Sequence, residues 1–324
     1  MCQKSLITDR NPVMSTSMDE ACYINVKSTH FQSNSTFTVT DVMLIGTSII
    51  WGVNFSAVKI ALEDFDPLIF NALRFGFASL TILALSTVKR NFSFHKQDFK
   101  SIFTLSLIGY VIYQLCFIYG IRLTTAGNSS LILATTPIFV TLFSIALGIE
   151  NIERKIWGGV ALSFGGILLI TLGGGKTPTW TSQGLIGDLL IFAGTLCWSL
   201  YTVLSKPLLK KYSPIQLVTS TMILGTPLLI IISIPSFKEQ SWASIQPSGW
   251  LCLIYSFLFS LAMGYMLWYI GISRIGTART SLYQNLTPVI ALTIAWLFLS
   301  ETITPLQIIG ATLIFISLYL TKRH

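Results

Sequence analysis

The chain has 324 residues, of which 52% are hydrophobic and 10% charged, and it carries a formal charge of +8. A soluble globular chain is about one quarter charged, so this composition excludes a soluble protein and favours one embedded in a membrane. The lysines and arginines lie between apolar runs and form no basic face, which argues against nucleic acid as a partner.

The first forty residues form a polar segment rich in Ser, Thr, Asn and charged side chains. Residues 1–40 hold no apolar run of signal-peptide length, which predicts a disordered cytoplasmic tail. Met14, Met18 and Met43 are alternative starts of the chain, and the sequence leaves the choice between them open.

Ten apolar segments follow the tail, each close to the ~20 residues that a helix needs to cross a bilayer core of ~30 Å. A spanning segment must satisfy its backbone hydrogen bonds internally, so these segments predict an all-α integral membrane protein. The predicted helices are 42–62, 67–88, 99–121, 124–147, 154–173, 184–205, 214–234, 248–271, 277–299 and 304–321.

The distribution of basic residues between the helices predicts the orientation of the chain. With the N-terminus inside, sixteen lysines and arginines lie in inner regions and four in outer ones. Basic residues concentrate on the cytoplasmic side of membrane proteins, so both termini are predicted to be cytoplasmic.

The second half of the chain repeats marks of the first half in the same order. One offset, of 151 residues, relates Pro137, Glu150 and Gly159 to Pro288, Glu301 and Gly310. A second offset, of 147 residues, relates Trp51, Lys59 and Pro67 to Trp198, Lys206 and Pro214. Such self-similarity indicates a duplicated unit, which we place at residues 41–174 and 184–322.

Each predicted unit holds five helices, an odd number, so the second unit must enter the membrane upside down. Glu150 is then expected at the cytoplasmic face and Glu301 at the outer face. Inverted repeats related by a pseudo-twofold axis in the membrane plane are typical of transporters that open one site alternately to either side.

Two prolines, Pro137 and Pro288, occupy equivalent places near the middle of the fourth and ninth predicted helices. Proline removes a backbone N–H and clashes with the preceding turn, which favours a kink at each position. We interpret both as hinges beside a central cavity; the alternative is that membrane helices simply tolerate them.

Polar and aromatic side chains inside apolar segments form the predicted substrate cavity. In hydrocarbon each needs a partner, so they either face the bundle interior as a binding site or hold neighbouring helices together. The candidates are Trp51, Asn54, Tyr110, Tyr113, Gln114, Asn128, Trp198, Tyr201, Tyr265, Trp268, Tyr283, Gln284 and Asn285.

Arg74 is a further cavity candidate, because a charge about two turns inside a membrane helix is by default a functional residue. The alternative, which we favour from the sequence, is a snorkelling or structural arginine paired with the loop acids Glu63, Asp64 or Asp66. Thr221 takes the equivalent place in the second unit, so this charge is not duplicated.

Metal and cofactor chemistry find no support in the sequence. The histidines lie outside the apolar runs, the cysteines show no paired spacing, and no catalytic residue, metal site or cofactor is predicted. The absence of Asp or Glu deep in an apolar run favours facilitated diffusion or exchange. It also favours a zwitterionic or neutral polar substrate over a metal ion or a strong cation. The stretch 158–166, GGVALSFGG, predicts close helix packing.

The duplicated five-helix unit, with Trp51…Lys59, Pro67…Arg74 and Pro-x12-Glu followed by Gly, resembles the EamA family of the drug/metabolite transporter superfamily. The resemblance covers about 42–321 and implies export or exchange of amino acids, metabolites or drug-like molecules across the inner membrane. It also implies a cavity lined by helices one to four and six to nine, with five and ten peripheral.

The expected partners are a small-molecule substrate and the lipid bilayer, and a homodimer stays open. Two other functions also remain open, a passive channel and a polytopic membrane enzyme. An enzyme would need convergent intramembrane acid and base groups, which the deep positions do not supply.

Overall fold

The computed structural model describes residues 38–88, 95–124, 126–173, 182–290, 293 and 304–322. Over these residues the chain is helical and contains no strand, which confirms the all-α prediction. Most of the predicted tail, residues 1–37, lies outside the described residues, as does Glu301.

The helices follow one another with short connections. Their bounds are α1 Val39–Asp64, α2 Pro67–Val88, α3 Lys96–Leu123, α4 Asn128–Ala146, α5 Arg154–Gly173, α6 Ser182–Leu209, α7 Pro214–Ser233, α8 Pro247–Ile275, α9 277–290 and α10 Pro305–Lys322. The local sequence determines where several of these helices begin. Thr38 and Ser213 begin α1 and α7 with capping boxes, and the Asp66 carboxylate accepts the Leu68 N–H at the start of α2, 2.9 Å away.

Seven helices of the described part of the chain are long and apolar enough to cross a membrane: α1, α2, α3, α4, α6, α7 and α8. Large apolar side chains are exposed on the outer faces of these helices, and Leu80, for example, is 64% exposed. An apolar surface of this extent is unfavourable in water and suits contact with lipid. The protein is therefore a multi-pass membrane protein.

Helices α5 and α10 pack against each other through small residues. The Ser317 hydroxyl donates to the Gly159 carbonyl at 2.7 Å, and a Cβ at Gly166 would lie 2.6 Å from the Gly310 carbonyl. The 151-residue offset relates Ser317 to Gly166 and Gly159 to Gly310, so the two contacts are equivalent in the two repeats. The two helices run antiparallel. Close packing at 158–166 is confirmed, and Gly159 and Gly166 carry it.

The paired helices of the two repeats are interrupted at equivalent depths. π-Helical turns cover Leu107–Ile112 in α3 and Ser256–Met263 in α8. The α-helical pattern breaks at 134–135 in α4, and α9 narrows to a 3-10 turn over Tyr283–Asn285. Each break in α4 and α9 lies within one turn before a predicted hinge proline. The Leu133 carbonyl, which Pro137 cannot engage, accepts the Thr136 hydroxyl instead at 2.5 Å.

One end of the bundle is fastened by charges that join the two repeats. The Glu150 carboxylate meets the Lys206 ammonium at 3.1 Å and accepts the backbone N–H of Thr277, at the start of α9, at 2.9 Å. We call this group of three residues the Glu150 latch. At the same end Asp98 accepts a hydrogen bond from Lys211 at 2.8 Å, and this bond raises the pKa of the exposed ammonium.

Candidate functional site

A small cavity lies between the two repeats. Its walls are formed by residues of α1, α2, α3, α4, α6, α8 and α9. Its lining residues are Trp51, Asn54, Phe55, Arg74, Tyr113, Gln114, Phe117, Ser130, Leu133, Trp198, Ser260, Leu261, Tyr265, Gln284 and Thr287. The structure thus brings together the predicted residues Trp51, Asn54, Arg74, Tyr113, Gln114, Trp198, Tyr265 and Gln284. Among the described residues, α5, α7 and α10 contribute nothing to this lining.

The space inside the cavity is too small for an organic ligand. The volume open to the centres of water molecules is about 40 Å³. One water needs roughly 10–15 Å³ measured this way, so the space holds about three waters. Sites for small organic molecules span about 300–1,000 Å³. Lining helices must therefore move apart before a metabolite can enter.

Arg74 is buried in the cavity wall, with 1% of its surface exposed. Its Nε donates to the Asn71 side-chain oxygen at 2.8 Å, and its Nη2 donates to the Gln114 side-chain oxygen at 2.6 Å. A longer bond of 3.3 Å joins Nη1 to the Ser256 hydroxyl. These described hydrogen-bond partners are all neutral, and phenylalanine rings pack around the guanidinium.

The pairing of Arg74 with loop acids, favoured from the sequence, is wrong. Asp64 accepts the Gln246 backbone N–H at 3.0 Å, and Asp66 caps its own helix. The side chain of Arg74 points into the bundle toward α3 and α8, away from the loop that holds these acids. An intramembrane guanidinium that reaches three neutral oxygens inside has no need to extend to the surface.

Three tryptophans pack together beside the cavity, and two of them, Trp51 and Trp198, line it. The ring centre of Trp51 lies 5.5 Å from that of Trp198, its equivalent in the other repeat, and 5.1 Å from that of Trp268. Each indole N–H has an acceptor: the Ser260 carbonyl for Trp51, Gln284 for Trp198 and Thr202 for Trp268. Their hydrogen-bonding needs are therefore met by the protein, and the rings offer only their faces and edges to a ligand.

Six predicted candidates do not line the cavity. Tyr110, Tyr201 and Trp268 pack behind it, and the Tyr110 and Tyr201 hydroxyls lie 3.2 Å apart. Tyr283 donates to the Asp41 carboxylate at the start of α1. Asn285 donates to Ser163 of α5 at 2.8 Å, and Asn128 lies 3.5 Å from the Thr124 hydroxyl. The contacts of Tyr110, Tyr201, Tyr283 and Asn285 join separate helices, which is the alternative weighed from the sequence, whereas the contact of Asn128 is local.

The sequence reasoning missed residues of three kinds. Phe55, Phe117, Leu133 and Leu261 line the cavity but resemble any other apolar residue of a membrane segment. Ser130, Ser260 and Thr287 are small hydroxyl residues, which membrane helices use freely for packing. Asn71 gave a usable signal, since an amide three residues before a helical arginine lies on the same face.

No three His, Cys, Asp or Glu side chains come together as metal ligands anywhere in the described ranges. The lining consists of amides, hydroxyls, aromatic rings and one guanidinium. Such a lining can bind a small polar molecule through hydrogen bonds and ring faces. The lining residues that the structure describes include no carboxylate that could act as a base or balance a bound cation.

Comparison with known proteins assigns the sequence to a family. The model of the EamA-like transporter family matches the chain twice, at residues 38–172 and 185–323. The chain belongs to the EamA-like transporter family. The resemblance seen in the sequence is thereby confirmed, as is the duplication of the family unit.

Relatives of this EamA protein are named as transporters. An uncharacterized transporter of Bacillus subtilis, YyaM, is 31% identical over 85% of this chain and 90% of its own. A probable terminal-alkyne amino-acid exporter of Streptantibioticus cattleyicolor is 25% identical over 87% of this chain and 92% of its own. A solved crystal structure with a TM-score of 0.66 and 17% identity covers 88% of this chain and 97% of its own, and shows the same fold. These findings identify a membrane transporter.

Proposed function

We propose that this EamA protein is a secondary transporter of the inner membrane that exports or exchanges amino acids or related small metabolites by alternating access. The observation that carries the proposal is the narrow cavity, which receives side chains from both repeats and lies where the equivalent Trp51 and Trp198 meet. A site at the interface of two repeats can open to either side by a rearrangement of one repeat against the other.

The proposed architecture is ten spanning helices in two inverted five-helix repeats. Helices α5, α9 and α10 would supply the three spans beyond the seven that satisfy length and composition. The antiparallel course of α5 and α10 supports inversion, because equivalent helices of two repeats run in opposite directions only when the repeats do. The pseudo-twofold axis would then lie in the membrane plane.

Reporter fusions at the C-terminus test the orientation of this architecture. We expect a reporter fused after His324 to be active on the cytoplasmic side, because sixteen basic residues lie in the predicted inner regions against four in the outer ones. A fusion after Asp64, in the first short connection, serves as the outside control. A C-terminal reporter active outside would contradict both the orientation and the even number of spans.

The substrate class rests on the chemistry of the lining and on a relative. Among its described residues the cavity offers hydrogen-bond donors and aromatic rings but no acid, which disfavours metal ions and strong cations. A relative named as an amino-acid exporter supports amino acids or close analogues. Purified protein in liposomes tests this directly: counter-flow of labelled neutral amino acids is expected, with dicarboxylates, quaternary ammonium compounds and divalent metals failing to compete.

The hinge prolines are expected to control the rate of switching. Substituting Pro137→Ala or Pro288→Ala allows α4 or α9 to straighten at the break beside the cavity. We expect each variant to insert normally and to transport at least about tenfold more slowly, equivalent to ~1.4 kcal/mol in the rate-limiting barrier. Pro214→Ala, which changes the first turn of α7, is the matched control. Parental rates in both hinge variants would refute the hinge role.

Counter-flow also separates a transporter from a passive channel. An unlabelled substrate on one side drives the labelled one against its gradient only through a carrier that exposes its site alternately. Enzyme chemistry would instead require a paired acid and base beside the cavity, and the described lining contains no Asp, Glu, His or Lys.

A further inference from the structure

Arg74 is the one charged side chain in the described lining of the cavity. Moving an ammonium or guanidinium out of water costs several kcal/mol unless an opposite charge or a full set of hydrogen bonds replaces the solvent. Here three neutral oxygens accept from Arg74, and rings of Phe70 and Phe117 lie 5.4 and 5.7 Å from its central carbon. These contacts reduce the cost but leave the charge itself uncompensated.

The two edges of this guanidinium differ in their position relative to the cavity. On the Nε side, Asn71 accepts from Arg74 while its own amide donates to the Gln114 backbone carbonyl at 3.1 Å, and Asn71 is not among the lining residues. On the Nη side the partners are the Ser256 hydroxyl, at a long 3.3 Å, and the side-chain amide of Gln114, which lines the cavity. The Nη edge is therefore the one that a ligand in the cavity can reach.

The side-chain oxygen of Gln114 occupies the position that a carboxylate oxygen would take on this edge. It lies 2.6 Å from Nη2, while its amide nitrogen donates to the Tyr265 hydroxyl at 2.8 Å. A guanidinium binds a carboxylate through two parallel N–H donors, and such charged bonds are roughly twice as strong as neutral ones. A substrate carboxylate therefore binds Arg74 more strongly than the Gln114 amide does and can displace it. The displaced amide keeps the Tyr265 hydroxyl as a partner.

We propose that Arg74 is the carboxylate-binding residue of this transporter, and that the substrate is a monocarboxylate whose other end lies against the tryptophans of the cavity. This inference rests on the proposed transport function and specifies its substrate. Once the lining helices move apart, the aromatic side chains around Trp51 suit a primary ammonium or an apolar side chain, so α-amino acids match both ends.

A second carboxylate has no equivalent partner. Thr221, which stands in the place of Arg74 in the other repeat, donates its hydroxyl to Tyr110 behind the cavity at 3.1 Å. With one guanidinium and no other charge in the described lining, the site neutralises a single negative charge. Dicarboxylates are therefore excluded from the substrate class.

The first test uses the wild-type protein alone and needs no transport. Purified protein is heated with a neutral amino acid, with its primary amide or with the amine that lacks the carboxyl group, and the unfolding temperature is recorded. We expect stabilisation by the acid at concentrations about 30- to 100-fold lower than by the amide or amine, because a charged hydrogen-bonded pair is lost with the carboxylate. Equal stabilisation by all three compounds would overturn the proposal.

The second test compares variants in the same assay and in counter-flow. Arg74→Gln is expected to lose the preference for the acid, Arg74→Lys to keep part of it, and Arg122→Gln, an exposed arginine at the end of α3, to keep all of it. Suppose that amino acids are transported and that R74Q is folded and prefers the acid as strongly as R74K and the wild type do. The carboxylate role of Arg74 is then wrong, and the transport function stands. If carboxylates stabilise wild type but no compound is transported, the binding site stands and the transport function fails.

Discussion

Replacing Gly166 with valine is expected to remove most of the folded protein from the membrane, whereas the same change at Gly165 is expected to be tolerated. A Cβ at position 166 would lie 2.6 Å from the backbone oxygen of Gly310, and a backbone atom of a packed helix cannot move aside as a side chain can. At position 165 nothing lies within 4 Å. We expect a loss of about 3 kcal/mol or more for the first variant, the upper range for overpacking.

Fluorescence-detected chromatography of tagged variants, followed by thermal unfolding, measures this difference between neighbouring glycines. Gly310→Val is expected to behave like Gly166→Val, because a Cβ there would lie 2.5 Å from the Gly166 carbonyl. Wild-type yield and unfolding temperature in Gly166→Val would show that α5 and α10 do not approach as closely as described.

Breaking the Glu150 latch is expected to open the cavity at the end that the latch fastens. Glu150→Gln keeps the shape of the side chain but removes the charge that faces Lys206, and both side chains are largely shielded from solvent, at 16% and 20% exposure. Truncating one member of such a pair costs about 2 kcal/mol or more. We therefore expect the population open at this end to rise by roughly 30-fold.

A cysteine inside the cavity reports the opening. Ser130→Cys, in a chain whose other cysteines are replaced by serine, is labelled with a water-soluble maleimide in vesicles of both orientations. The matched control is Glu153→Gln, whose ion pair with Arg279 at 3.0 Å is more exposed and worth about 0–1 kcal/mol. We expect faster labelling with Glu150→Gln from one side only. No change in labelling would mean that the latch does not hold the cavity closed.

The fold was predictable because its determinants are long and repeated. Apolar segments of spanning length and the 151-residue offset identify helices and duplication without any knowledge of contacts. The cavity was predictable only where it uses unusual residues. Trp51 and Gln114 stand out in an apolar helix, whereas Phe55 and Leu261 serve equally well facing lipid, so their role depends on helix rotation that the sequence does not record.

The environment of Arg74 was not predictable for a related reason. The acids of the adjoining loop are close in sequence, while its partners Gln114 and Ser256 come from helices 40 and 182 residues away. Only the packing of α2 against α3 and α8 decides between them. The positions of the helix breaks were easier to predict from the sequence, because proline disrupts the helix in its own turn whatever surrounds it.

The unequal pair of Arg74 and Thr221 gives a symmetric frame a fixed polarity. If the repeats exchange conformations during transport, the helices change roles, but the guanidinium stays on α2 and the hydroxyl stays on α7. A carboxylate held at Arg74 then remains with the first repeat throughout the cycle, whichever side is open. A substrate arriving from one side therefore meets its charged anchor at a different stage of entry than a substrate arriving from the other. Transport in the two directions would accordingly show different half-saturating concentrations, while the substrate gradient still sets the net direction.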